Sequence, residues 1–164
     1  MTPPDQAQDA RFEDAGVSPL RLKALDAEDL GVISALVQDA VFRASEMIWT
    51  RRDRRFAILL NRFRWEDAPQ AEAGKRGFER VQAVLVIEDV VKVQSQGVPR
   101  GDGAVVMSLL SMAFEPGADG MGRVVLTLAG DGVIGVEVEA LEVVLRDVTR
   151  AYVAPSGTMP GHPV

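Results

Sequence analysis

The stretch VVLTLAGDGVIGVEVE, residues 124–139, leaves the chain little choice of fold. Its apolar residues recur at every second position: Val124, Leu126 and Leu128 on the way in, Ile134, Val136 and Val138 on the way back. A period of two puts each set on one face of a strand, and Gly130-Asp131-Gly132 supplies residues that tolerate a tight turn. The outcome is a β-hairpin with one face to bury. A lone hairpin is marginal in water, so further strands are required to cover it.

The rest of the chain supplies them. LRLKAL (20–25) alternates as a short strand with Leu20, Leu22 and Ala24 on one face. Asp26 is placed to cap a helix, with Glu28 and Asp29 at the positive end of its dipole and Leu30, Ile33, Leu36 and Val37 at helical spacing. AVFRASEMIWT (40–50) reads as a strand whose alternation slips near Ser45 and Glu46, as a β-bulge makes it slip. In the following strand Phe56, Ile58 and Leu60 are in phase, while Phe63 and Trp65 fall on the other parity. A second bulge near Asn61 or Arg62 brings all five to the core side. FERVQAVLVIEDVVKVQSQGV (78–98) is too β-branched for a helix, so Glu88-Asp89 marks a bend between two strands. Val81, Ala83, Leu85 and Ile87 share a face before it, and Val91 and Val93 share one after it. VVMSLLSMAFE (105–115) is apolar on both parities and reads as a central strand covered on both sides. Leu141, Val144, Leu145 and Val148 then recur at a period near 3.6, which predicts a C-terminal helix.

The expected fold is therefore α+β: a mainly antiparallel β meander with one N-terminal and one C-terminal helix. Bulged strands favour a bent sheet closing into a barrel like that of pleckstrin-homology domains; the competing layout is an open sheet with both helices on one face. Residues 1–18 read as a flexible arm, 19–153 as a single domain and 154–164 as a flexible tail, with a mobile loop over 68–77.

Composition closes off several functions. There is no cysteine, which removes disulfides, thiolate metal sites and cysteine nucleophiles. The sole histidine, His162, lies in the Pro/Gly-rich tail, so a histidine-based acid–base or metal site inside the fold is excluded. Serines 108 and 111 accordingly lack a base. A net charge of −6 disfavours nucleic acid. Apolar runs are broken well short of the roughly 18 residues a membrane span needs. The N-terminus has no signal-peptide pattern, so the cytoplasm is the default location.

Two motifs are decoys. GDGVIG (130–135) matches G-x-G-x-x-G, but a dinucleotide site needs a helix to begin there, and VIGVEVE alternates as a strand. An acid for the ribose is expected about twenty residues on, and Arg150 stands in that region. RGD (100–102) is explained by chance in a chain with no export signal. The carboxylate pairs Glu66-Asp67, Glu88-Asp89 and Glu137 with Glu139 fall at turns or on a solvated strand face, where exposed acids are ordinary. No catalytic residue, metal ligand or cofactor is assigned.

RRDRRFAILLNRFRWE (51–66) is the remaining feature. Up to Trp65 its six arginines and one aspartate give +5 locally, so the remainder of the chain carries −11. The first four arginines bracket a hairpin tip, where charge keeps a turn in water and protects an edge. Arg62, Arg64 and Trp65 stand beyond it, beside the expected bulge, and Arg with Trp suits phosphate, carboxylate or stacked-ring ligands. They are the candidate binding residues.

LNRFRWE (60–66), ALDAEDLGVISALVQDAV (24–41) and FERVQAVLVIEDVVKVQSQG (78–97) together resemble the alphaproteobacterial family called domain of unknown function 2948. The resemblance runs from about Leu20 to Tyr152, and includes the order of segments, the hairpin and the terminal helix. It implies a small intracellular bacterial protein and supplies no activity. The function expected is a non-catalytic binding or adaptor domain for a protein or anionic ligand. The alternatives are a structural homodimer subunit and an enzyme using only carboxylates and arginines.

Overall fold

The computed structural model of the chain describes residues 19–67, 79–99, 103–148 and 152–153. The expected arm, tail, 68–77 loop, RGD and His162 lie outside these residues. β1 (Arg21–Ala24) leads through the Asp26 cap into α1 (Ala27–Leu36), and the Asp26 Oδ1 accepts from the Asp29 amide at 2.8 Å. Such a cap stabilises a helix by about 1 kcal/mol. Leu30, Ile33 and Val37 face inward and are buried. The strands that follow are β2 (Val41–Arg43), β3 (Met47–Thr50), β4 (Arg55–Phe63), β5 (Glu79–Ile87) and β6 (Val90–Gln96), then β7 (Val106–Pro116), β8 (Gly122–Leu128), β9 (Val133–Val138), β10 (Val143–Asp147) and β11 (Tyr152–Val153).

These pair antiparallel in the order β1-β10-β5-β4-β2-β7-β8-β9-β6, with β11 added on β5 and β3 on β4. The chain turns sharply between β5 and β6, which are not neighbours in the sheet. Asp89 takes a left-handed φ of 56°, and the chain passes from one side of the sheet path to its far end. Val124, Leu126, Leu128, Ile134, Val136 and Val138 are all buried, as the hairpin pattern required. Its turn closes with the Leu128 amide donating to the Gly132 carbonyl at 2.8 Å, and Gly130 and Asp131 hold φ of 80° and 73°. α1 packs across β7 and β1, and its Ser34 hydroxyl accepts from the Met112 amide at 2.9 Å.

The expected C-terminal helix is absent: residues 143–147 are β10, hydrogen-bonded between β1 and β5. The buried positions are Leu141, Val143, Leu145 and Asp147, a period of two, while Val148 is exposed. Leu141 and Leu145 satisfy both periods, which is why a helical stripe could be drawn through them. Adjacent valines and two flanking strand edges decide for the sheet. Without that helix the likeness to a pleckstrin-homology barrel lapses. The strand order, with β10 between β1 and β5, is also more non-local than a meander.

The expected bulges moved too. The slip at residues 44–46 is a 3-10 turn between β2 and β3. β4 and β5 pair in unbroken register from Phe56↔Ile87 to Phe63↔Arg80, so there is no bulge at Asn61 or Arg62. Instead the alternation runs straight on, and the residue on the core parity after Leu60 is Arg62 itself. Register does shift between Leu109 and Ser111 on β7 and between Val90 and Lys92 on β6. The second shift leaves Val90 buried and Val91 exposed.

Candidate functional site

Arg62 is completely buried, and its guanidinium has a partner for every N–H. Nε and Nη2 donate to the Asp147 carboxylate at 2.9 and 3.0 Å. Nη1 and Nη2 donate to Glu66 at 2.9 and 2.7 Å, and Nη1 reaches the Phe63 carbonyl at 3.4 Å. The Asp147 carboxylate also accepts from the Leu20 amide at 2.8 Å, while its own amide donates to the Leu20 carbonyl at 2.9 Å. One side chain thus joins β4, β10, the start of β1 and the 3-10 turn at residues 65–67. Burial works against the guanidinium's charge. It is outweighed by hydrogen bonds to Glu66 and Asp147 and by their charge, which hold Arg62 protonated above its usual range. Burial likewise pushes the Glu66 carboxyl up, and the bonds and charge of Arg62 prevail and hold it below the usual carboxylate range.

Arg64 is also buried, paired through Nη1 with Glu79 on β5, and its Nε lies 3.9 Å from Glu66. Trp65 is half-buried; its indole Nε1 donates to the Gln38 carbonyl at 2.8 Å, and its ring meets Phe63 edge-on with centroids 4.7 Å apart. The three candidate residues therefore come together at one end of β4, with Arg62 and Arg64 facing acids of the protein. Sequence reasoning missed those acids. The available signal was Asp147 on the same parity as Val143 and Leu145, an acid at a core position that calls for a buried cation.

Two of the other candidate acids are also engaged. Arg55 grips Glu88 through two bonds, of 2.5 and 3.1 Å, and this contact holds the Glu88 carboxyl below its usual range. Arg54 pairs with Glu139 at 2.8 Å. Among the described residues, no group of three or more His, Asp or Glu is arranged to hold a metal ion. No described helix is long and apolar enough to cross a membrane.

Cations without an acid partner lie at the other end of β4. The β3–β4 turn carries Arg51 and Arg52, both exposed, and β6 carries exposed Lys92. None of the three has an ion pair among the described residues. Among the described residues β3 pairs with β4 alone and β6 with β9 alone, so each presents an open edge there. The Val90 amide donates to the Arg54 carbonyl at 2.9 Å and pins the start of β6 to the turn. Beyond that link the strands part around a cleft of about 500 Å³ lined by Trp49, Arg51, Arg54, Val91, Lys92 and Val93. The β6 bulge at Val91 lies in its wall, and bulges recur beside functional sites. Sequence reading placed Trp49 in a strand and the tip arginines in water, but had no means of bringing β6 beside them.

Among the described residues, fold and site together define an antiparallel-sheet domain with one α-helix and a cationic cleft at an open seam. The profile of a family described as Protein of unknown function (DUF2948) matches residues 20–162, and the chain belongs to that family. The match continues past Tyr152 into the segment read above as a tail. No curated protein and no solved structure matches the chain.

Proposed function

We propose that this protein is a non-catalytic binding domain for an acidic partner, and that the partner docks at the cleft between β3 and β6. The observation that carries this reading is the set Arg51, Arg52 and Lys92, exposed and free of ion pairs among the described residues, in a chain of net charge −6. Unpaired cations at a half-buried tryptophan favour carboxylate or phosphate groups and give a partner both charge and ring contact. Arg62 and Arg64 have their donors turned to Asp147, Glu66 and Glu79, so in this reading they hold the scaffold that Trp65 packs on, while the cleft makes the contact. The non-catalytic part is supported by the pairing of Glu66 and Glu88 with arginines, which holds both carboxyls below their usual range and leaves them poorly suited to exchange protons near neutral pH.

The test is capture of partners from native lysate by wild type and by Arg51→Glu/Lys92→Glu, with mass spectrometry. Loss of an acidic partner by a folded double variant, steeper at low salt, is expected because rim charges act mainly by steering association. Equal capture by both proteins sinks the cleft as the docking surface.

A further inference from the structure

Resting on that reading, we propose that the occupant is an extended acidic segment of a partner protein, which adds to β3 as a further strand. Three observations converge on it. Among the described residues the outer edge of β3 is open, and its four residues, Met47–Thr50, pair in regular register with Ile58–Arg55 of β4. A regular open edge presents amides and carbonyls at strand spacing, the template used in strand addition. Across the cleft β6 carries a bulge at Val91 in its pairing with β9, so of the two strands β3 offers the unbroken backbone at the cleft wall. Finally, natural edges are guarded by charge, and the exposed charge at the cleft end of β3 is mainly cationic: Arg51 and Arg52 outweigh Asp53 in the turn, and Lys92 stands across the cleft. A segment bearing acids passes such a guard, and a basic one is repelled.

A strand in this position shows its side chains alternately to the two faces. Apolar residues meet Trp49, Val91 and Val93, while acids reach Arg51 and Lys92. The segment sought therefore alternates acid with apolar residue, has no proline, and needs only about four to six residues to match β3.

The probe is a fluorescein-labelled octapeptide alternating glutamate and valine, titrated into the full chain and followed by anisotropy and amide chemical shifts. Controls are the lysine–valine counterpart and two peptides N-methylated at alternate residues, one for each edge. Saturable binding is expected, with shifts in Met47–Thr50. It should weaken about tenfold or more for the lysine peptide, for one N-methylated peptide, and for Arg51→Glu/Lys92→Glu at unchanged melting temperature. If both N-methylated peptides bind as well as the parent, the ligand is held by side chains alone; strand addition falls and the acidic-partner reading survives. If the glutamate peptide does not bind at all, strand addition falls. Failure of lysate capture as well removes both readings. Dimerisation that the peptide does not displace assigns the edge to a second copy and overturns the proposal. So does tighter peptide binding when Asp5, Asp9, Glu13 and Asp14 are neutralised, which assigns it to the chain's own N-terminal segment.

Discussion

Arg62 and Arg51 come from one run of sixteen residues, yet they sit in opposite environments. Arg62 is fully enclosed with five hydrogen bonds, whereas Arg51 is exposed and has no ion pair among the described residues. Charge density along the sequence treats them alike. The difference is set by strand parity and by what lies opposite: Arg62 takes the inward position after Phe56, Ile58 and Leu60, and finds Asp147 on β10. Arg51 falls in the turn, where parity has no meaning. A cationic run in a sequence is thus a mixture of scaffold and surface, sorted by the sheet.

The sharpest way to break this comparison is to remove one partner of the buried cluster. Arg62→Met leaves Asp147 enclosed without its cation, and loss of one member of a buried pair costs about 3–5 kcal/mol. Chemical denaturation at neutral pH measures it. The companion Arg62→Met/Asp147→Leu removes both charges and should recover a large part of the loss, because the uncompensated carboxylate goes too. A single variant as stable as wild type would mean that Arg62 is no better placed than the arginines of the turn.

That cluster also shows where the sequence was legible. The α1 cap and stripe, the β8–β9 hairpin and the buried faces of β4 and β5 followed from local patterns, because their periodicity admits one answer. β10 failed because Leu141 and Leu145 fit both a helical and a strand period, and its two neighbours, β1 and β5, are remote in sequence. The bulge expected at Arg62 failed for a related reason. An arginine at a core position looks like a broken pattern until its acids, at positions 66 and 147, are brought to it. The cleft was beyond local reasoning, since it is made by two strand edges that meet only through the bend at Asp89.

Acid sharpens the comparison more gently. The Glu66 carboxyl titrates below its ordinary value of 4.5 in the folded protein, chiefly through Arg62 acting against burial. A depressed carboxylate stabilises the fold above its unfolded pKa, and that contribution is lost as pH falls through the lower folded value. Stability should therefore decline below about pH 4.5 in wild type, and Arg62→Met should show a shallower decline across the same window. Because Glu88 is depressed by Arg55, the slope in the variant should not vanish. Denaturation midpoints between pH 6 and the acid limit, taken as about pH 3, provide the measurement. Equal slopes in the two proteins would remove Arg62 as the cause of the Glu66 shift.

The smallest effect is expected where the charge density is highest. Arg51→Ala/Arg52→Ala removes two exposed side chains from a turn whose closing bond, the Arg54 amide to the Arg51 carbonyl at 3.1 Å, is made by backbone alone. Among the described residues neither guanidinium has an ion pair to lose, and exposed substitutions of this kind seldom alter folding energy. The melting temperature should move by no more than about 2 °C. The same variant should nevertheless bind the glutamate–valine octapeptide less well, and the deficit should shrink as salt is raised, since screening removes what the side chains supplied. A marked loss of stability would show that the turn arginines are part of the scaffold after all, and would dissolve the distinction between them and Arg62. Unchanged stability with unchanged peptide binding would leave them guarding an edge that nothing joins.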